Sequence, residues 1–99
     1  MAEVTWTQQA LDDLEAICLY IARDAPGYAT LFAERAFRAV AHLAQFPRSG
    51  RIVPEIRHDD IREVILQSYR IIYRVRPDEV EILTIHHGAR LLDRFERPV

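Results

Sequence analysis

The chain has 99 residues, 49% of them hydrophobic and 28% charged, and its formal net charge at pH 7 is −2. This length and composition predict one globular domain spanning residues 1–99 and exclude a disordered chain. The first residues lack the pattern of a signal peptide, and no apolar stretch approaches the ~20 residues that cross a bilayer, so we expect a cytoplasmic protein with no membrane contact. A single cysteine, Cys18, excludes an internal disulfide, and its helical spacing predicts a core position.

Charge is distributed unevenly along the sequence, and every cation is an arginine. Residues 1–46 hold six acids and three arginines, whereas residues 48–76 hold seven arginines and four acids. Arginine binds carboxylates and phosphates through a planar, bidentate fork that lysine does not have. The second half of the chain is therefore where an anion-binding surface is expected.

The first half predicts a short strand and two helices. "EVTWT" (3–7) is strand-like, and Thr7 is suited to cap the helix that follows. In that helix the inner stripe consists of Ala10, Leu14, Ile17 and Ile21, and the outward acids are Asp12, Asp13 and Glu15. Pro26 and Gly27 interrupt it, and a second helix then runs to about Phe46. Its predicted inner stripe consists of Ala29, Phe32, Ala36, Val40 and Leu43.

The second half changes to the period of two that is typical of strands. Residues 46–55 contain two prolines and a glycine and are predicted to be a loop. Three strands follow, at 61–67, 69–75 and 80–86, joined by links short enough for an antiparallel meander. The order β-α-α-β-β-β predicts an α+β fold of two layers, in which a helical hairpin packs on a mainly antiparallel, twisted sheet with the first strand at an edge.

Alternation along the central strand separates an apolar face from a basic one. The residues predicted to face the helices are Tyr69, Ile71, Tyr73 and Val75. Arg70, Arg74 and Arg76 then point away, and we expect Arg62 to join them from the neighbouring strand. The segment "HHGAR" supplies His86, His87 and Arg90 where the last strand ends, which predicts a basic hollow at one end of the sheet.

Two interpretations of this basic face follow from the residues alone. The arginines are either solvated side chains that prevent edge-to-edge association, or a surface that binds phosphate or an acidic protein segment. The adjacent histidines point to opposite faces of a strand and have no third ligand at a suitable spacing, so no metal site or cofactor is predicted.

Four segments carry a resemblance to a known family: "SGRIVPE", "IREVILQ", "YRIIYRV" and "HHGARLL". In this order and spacing they resemble the RelE/ParE superfamily of toxins from type II toxin–antitoxin modules, over nearly the whole chain. The resemblance implies the same fold that the periodicity predicts. It also implies growth arrest, a role in plasmid stabilization, and one of two activities.

RelE-like members cleave mRNA on the ribosome, whereas ParE-like members poison DNA gyrase and are not nucleases. If the chain is a ribonuclease, the resemblance places Arg62, Arg70 and Arg90 at the scissile phosphate, with His86 available for proton transfer. The tail "LLDRFERPV" lacks the tyrosine or histidine with which those enzymes transfer protons. We therefore favour a ParE-like gyrase inhibitor, with ribosome-dependent mRNA cleavage as the alternative and a non-toxic relic of the fold as a second one.

The resemblance also implies a partner. In this superfamily a cognate antitoxin neutralises the toxin through an acidic C-terminal segment that becomes ordered on binding, forming a hetero-oligomer. The residues expected to bind the target or the antitoxin are Arg62, Arg70, Arg74, Arg76, His87 and Arg90.

Overall fold

A computed structural model of the protein describes residues 1–88, and the structural findings below concern that range. Its elements are β1 (Glu3–Trp6), α1 (Gln8–Ala22), α2 (Pro26–Gln45), β2 (Arg51–Ile52), β3 (Ile61–Leu66), β4 (Tyr69–Val75) and β5 (Glu79–His87). The five strands form one sheet in the order β1-β5-β4-β3-β2. β1 runs parallel to β5, and the other neighbours are antiparallel. The predicted α+β class and the edge position of the first strand are confirmed.

The strand β2 was not predicted. It has only two residues, Arg51 and Ile52, which pair with Glu63 and Arg62 of β3. A pair of residues inside a loop rich in proline and glycine carries no periodicity, so the sequence gives no signal for it. The two-residue strand nevertheless fixes the side of β3 on which Arg51 lies.

Local sequence explains where the helices begin. The Thr7 hydroxyl accepts a hydrogen bond from the backbone N–H of Ala10 (3.1 Å) and donates one to the carbonyl of Ile82 (2.8 Å). Thr7 thus caps α1 and ties its first turn to β5. Pro26 is the first residue of α2. A backbone N–H at this position would have no acceptor within the helix, so the lack of one in proline costs nothing. Within residues 1–88, no helix is long and apolar enough to cross a membrane.

The main core lies between the helices and one face of the sheet. Its buried residues come from both helices and from β4 and β5: Ala10, Leu14, Phe32, Ala36, Val40, Leu43, Ile71, Tyr73, Val80, Ile82 and Ile85. Tyr69 and Val75 pack against this cluster, so the predicted helix-facing side of β4 is confirmed. Asp13 was predicted to point outward, but its carboxylate accepts hydrogen bonds from the Thr84 hydroxyl and the Ile85 N–H (3.1 Å) and joins α1 to β5.

A second apolar cluster occupies the other face of the sheet, which we call the far face. It consists of Val53, Ile56, Ile61, Ile72 and Leu83, so residues of the loop between β2 and β3 cover the middle of that face. Leu83 reaches this cluster because the pairing of β4 with β5 shifts between Ile72 and Tyr73, which leaves Leu83 as an extra residue in β5. The far face is therefore not the open basic surface that the alternation predicted.

Candidate functional site

Arg70 lies on the far face, as predicted, but it is not exposed. The residue is 5% exposed. Its terminal nitrogens donate to both carboxylate oxygens of Glu55 (2.6 and 2.7 Å), and its Nε donates to Glu63 (2.6 Å). The hydrogen bonds to Glu55 are the main reason that the pKa of Arg70 is raised. Burial lowers this pKa, and the hydrogen bond to Glu63 raises it further. The predicted exposure of this guanidinium is therefore wrong, because the chain's own acids surround it. Its assignment to a catalytic or binding site stays a prediction.

Glu63 extends this contact into a row of four charges, which we call the ionic chain: Arg51, Glu63, Arg70 and Glu55. The Glu63 side chain is completely buried, and one of its oxygens accepts from Arg70 while the other accepts from Nε of Arg51. Exposure changes sharply along the row, from 6% for the Arg70 side chain to 61% for that of Arg51. The ionic chain therefore presents mainly one charged group to its surroundings, the guanidinium of Arg51.

Arg62 lies on the opposite side of the sheet from Arg70. It pairs with Tyr73, which faces the helices, whereas Arg70 shares the far face with Glu63. Its Nε donates to the carbonyl of Asp59 (3.0 Å) and its Nη1 to that of Gly50 (2.9 Å). The predicted grouping of Arg62 with Arg70 is wrong, and Arg62 holds together the loops on either side of β2.

Gly50 and Tyr73 fix the start of β2. The N–H of Gly50 donates to the Tyr73 hydroxyl (3.0 Å), and that ring is fully buried. A Cβ at Gly50 would lie 2.5 Å from this hydroxyl and 2.6 Å from the carbonyl oxygen of Glu63, so only glycine fits. Burial raises the pKa of Tyr73, which keeps the phenol neutral.

A surface ion pair holds the same loops together. Arg48 binds Asp59 and Asp60 at 2.8 Å each. The hydrogen bond from Arg48 lowers the pKa of Asp60, and the same bond raises the pKa of Arg48. Because Arg48 and Asp59 are at least half exposed, this pair adds little stability, and its main effect is to restrain the loop that precedes β2.

The remaining predicted residues are divided between the two faces and the two ends of the sheet. Arg74 is half-buried and has an interaction within the chain. Arg76 is exposed at the turn after β4 and makes a long ion pair with Glu81 (3.5 Å). The His87 ring packs edge-on against the Tyr69 ring at 5.3 Å, on the helix side, whereas His86 pairs in register with Arg70. The predicted residue Arg90 lies outside the described residues.

Two neighbouring hollows lie along the outer edge of β3, and Arg51 contributes to both. The one on the far face has a volume of about 420 Å³ and is lined by Arg51, Pro54, Glu55, Ile65, Arg70 and Gly88. The other, of about 480 Å³, lies between this edge and α2, where Ala39 and His42 complete it. Residues 1–88 contain no group of three or more His, Cys, Asp or Glu side chains that could hold a metal ion.

Two functional features of this surface escaped the sequence analysis: the burial of Glu63 and the position of Arg51 beside it. The one available signal was that Glu63 lies two residues from Ile61 and from Ile65 in an alternating strand. An acid on an apolar strand face requires a cationic partner, because an unpaired buried charge is very costly. That rule would have assigned a nearby arginine to Glu63 and not to an external ligand.

Comparisons with known proteins agree with the fold. The family model described as "ParE toxin of type II toxin-antitoxin system, parDE" matches residues 4–92. The chain is 40% identical to the toxin RelE2 of Caulobacter vibrioides over 92% of this chain and 100% of that protein. It is 41% identical to the putative toxin Y4kP of Sinorhizobium fredii over 86% of each.

Two solved structures share this architecture. The chromosomal ParDE toxin–antitoxin system of P. aeruginosa superposes with a TM-score of 0.74 and 26% identity over 88% of this chain and 96% of that chain. The toxin–antitoxin complex RelBE2 of Mycobacterium tuberculosis gives a TM-score of 0.56 and 24% identity over 87% of this chain and 96% of that chain, which shows the fold alone.

Proposed function

The chain belongs to the ParE toxin family of type II toxin–antitoxin systems, and we propose that it arrests growth by binding and poisoning DNA gyrase, not by cleaving mRNA. The observation that supports this choice is the enclosure of Arg70. Glu55 and Glu63 together bind Nε and both terminal nitrogens of Arg70. In a ribonuclease of this superfamily, this guanidinium would instead contact the scissile phosphate.

Arg62, a second cation assigned to RNA cleavage, gives the same indication. Arg62 donates to loop carbonyls on the helix side of the sheet, away from Arg70. A nuclease needs cations that converge on one phosphate, together with a group that transfers protons. His86, the residue predicted to transfer protons, pairs in register with Arg70, whose guanidinium is already bound by Glu55 and Glu63. The described residues are therefore better suited to binding a protein than to catalysing phosphate transfer.

Gyrase supercoiling and in vitro translation, assayed side by side on one toxin preparation, test the proposal. We expect inhibited supercoiling and intact mRNA. A preparation mixed beforehand with the antitoxin serves as the matched control and should restore supercoiling. Fragments cut at codon boundaries, with supercoiling unaffected, would instead establish the ribonuclease alternative.

An antitoxin is the partner that membership of this family implies, and we propose that it neutralises the toxin through an acidic C-terminal segment. Induction of the isolated gene in a bacterium should stop growth, and co-induction of the antitoxin should restore it. Normal growth after induction, with the protein present at the same level, would support a non-toxic relic of the fold.

A further inference from the structure

We infer that Arg51 is the receptor for a carboxylate of the antitoxin, with Ile65 as the adjoining apolar contact. This inference rests on the proposed pairing with an acidic antitoxin segment. The principal ionic contact with the antitoxin is then made by Arg51, which was not among the arginines predicted to bind. This contact lies in the far-face hollow at the outer edge of β3.

Half of the Arg51 guanidinium remains available for a ligand. Its Nε binds the buried Glu63, and the side chain is 61% exposed. Across residues 1–88, its two terminal nitrogens donate to no other group. A planar guanidinium that is held by one edge offers the other edge to a carboxylate in a bidentate contact.

The orientation of this guanidinium is fixed before any ligand arrives. Arg51 lies directly opposite Glu63 in the pairing of β2 with β3, and Arg70 binds the other oxygen of the same carboxylate. Binding normally costs entropy for each long side chain that it immobilises. Because Glu63 already holds Arg51, a carboxylate that binds it loses less affinity to that cost than one that binds a free arginine.

The surroundings of Arg51 favour a protein segment over a small anion. Ile65 is 53% exposed, lies two residues from Glu63 on the same strand face, and lines the same hollow as Arg51. The four charges of the ionic chain sum to zero, but Glu63 is completely buried and Glu55 is only 24% exposed, so the exposed charge is mainly that of Arg51. A segment with an acidic side chain next to an aliphatic one complements this pair of groups.

The test measures the affinity of the toxin for its cognate antitoxin by titration calorimetry. Arg51→Lys keeps a positive charge next to Glu63 but removes the second edge of the guanidinium. We expect its Kd to rise roughly tenfold or more, as for the loss of one charge-assisted hydrogen bond. Arg23→Lys, at the end of α1 in the helical layer, is the matched control and should bind as the wild type does.

Melting temperatures separate binding from folding. Ile65→Ser leaves the ionic chain intact and should also weaken binding, so it carries the test if Arg51→Lys lowers the melting temperature substantially. Replacement of an antitoxin glutamate by glutamine should weaken binding to the wild-type toxin but have little further effect on binding to Arg51→Lys. If the wild type binds and both toxin variants bind equally well, the inference is wrong while the proposed function stands. If the wild type does not bind this antitoxin, the proposed partner and the inference fail together.

Discussion

Replacement of Arg70 by methionine distinguishes a structural arginine from a phosphate-binding one. The change removes three hydrogen bonds at once, two to Glu55 and one to Glu63. Glu63, whose side chain is 0% exposed, would then have only Arg51 to balance its charge. Removal of one partner from a buried ion pair costs about 3–5 kcal/mol, out of the roughly 5–15 kcal/mol that stabilise a typical domain. For a domain of this size we expect a melting temperature lower by at least about 12 °C.

A second substitution tests whether the loss arises from the uncompensated charge. Glu63→Leu combined with Arg70→Met replaces the buried pair by apolar side chains, which is often neutral in proteins. Arg51 is exposed enough to remain hydrated without Glu63, and the partly exposed Glu55 reaches water. We therefore expect the double variant to be more stable than Arg70→Met alone and to recover most of the lost stability.

Urea unfolding followed by circular dichroism measures both effects as free energies of unfolding. If Arg70 were a phosphate ligand, Arg70→Met would leave stability nearly unchanged and abolish activity. A variant within about 1 kcal/mol of the wild type would refute the account of the ionic chain, since breaking a buried pair costs several times more. A double variant less stable than the single one would show that the lost stability came from packing and not from charge.

Further substitutions at three positions, Gly50, Tyr73 and Thr7, concern the start of β2 and of α1. Gly50→Ala places a Cβ 2.5 Å from the Tyr73 hydroxyl and should cost about 1–3 kcal/mol in thermal unfolding; an unchanged melting temperature would contradict this close approach. Tyr73→Phe leaves the Gly50 N–H without its acceptor, at a similar cost of about 1–3 kcal/mol. Because burial raises the pKa of Tyr73, the unfolded state loses this proton first, so the contribution of Tyr73 to stability should be constant below pH ~10 and fall above it, and Tyr73→Phe should lack that part of the fall. Thr7→Ala removes the cap on α1 and should cost about 1 kcal/mol in urea unfolding, whereas Thr7→Ser should cost much less.

Periodicity predicted the parts of the fold in which one face of an element meets one core. All five residues predicted for the inner stripe of α2 are buried. β4 was predicted with the observed bounds, Tyr69–Val75, because its alternation continues for seven residues. Four of these α2 residues, together with Ile71 and Tyr73 of β4, belong to the main core, so the period determines which side of each element faces that core.

The far face could not be predicted in the same way. Val53 and Ile56 come from a loop and carry no periodic signal, yet they cover Ile72 and form a second core. β3 has apolar residues on both faces, Ile61 on the far face and Val64 on the helix side, so alternation does not indicate the face on which Arg62 lies. The register with β4 decides this, because Arg62 pairs with Tyr73, and register depends on contacts distant in sequence.

The same reasoning explains why arginine content is a poor guide to the binding surface of this toxin. An arginine on a strand binds a partner only if the chain leaves its nitrogens unsatisfied, and those of Arg70 are bound by the buried Glu63 and the partly exposed Glu55. Arg51 became available for the opposite reason, since the buried Glu63 accepts from only its Nε. Glu63 therefore has two effects on the surface: it withdraws Arg70 from external anions and orients Arg51 toward them. We therefore expect this toxin to bind the acidic antitoxin segment at the outer edge of its sheet, and not in the middle of the sheet, where a nuclease would hold its substrate.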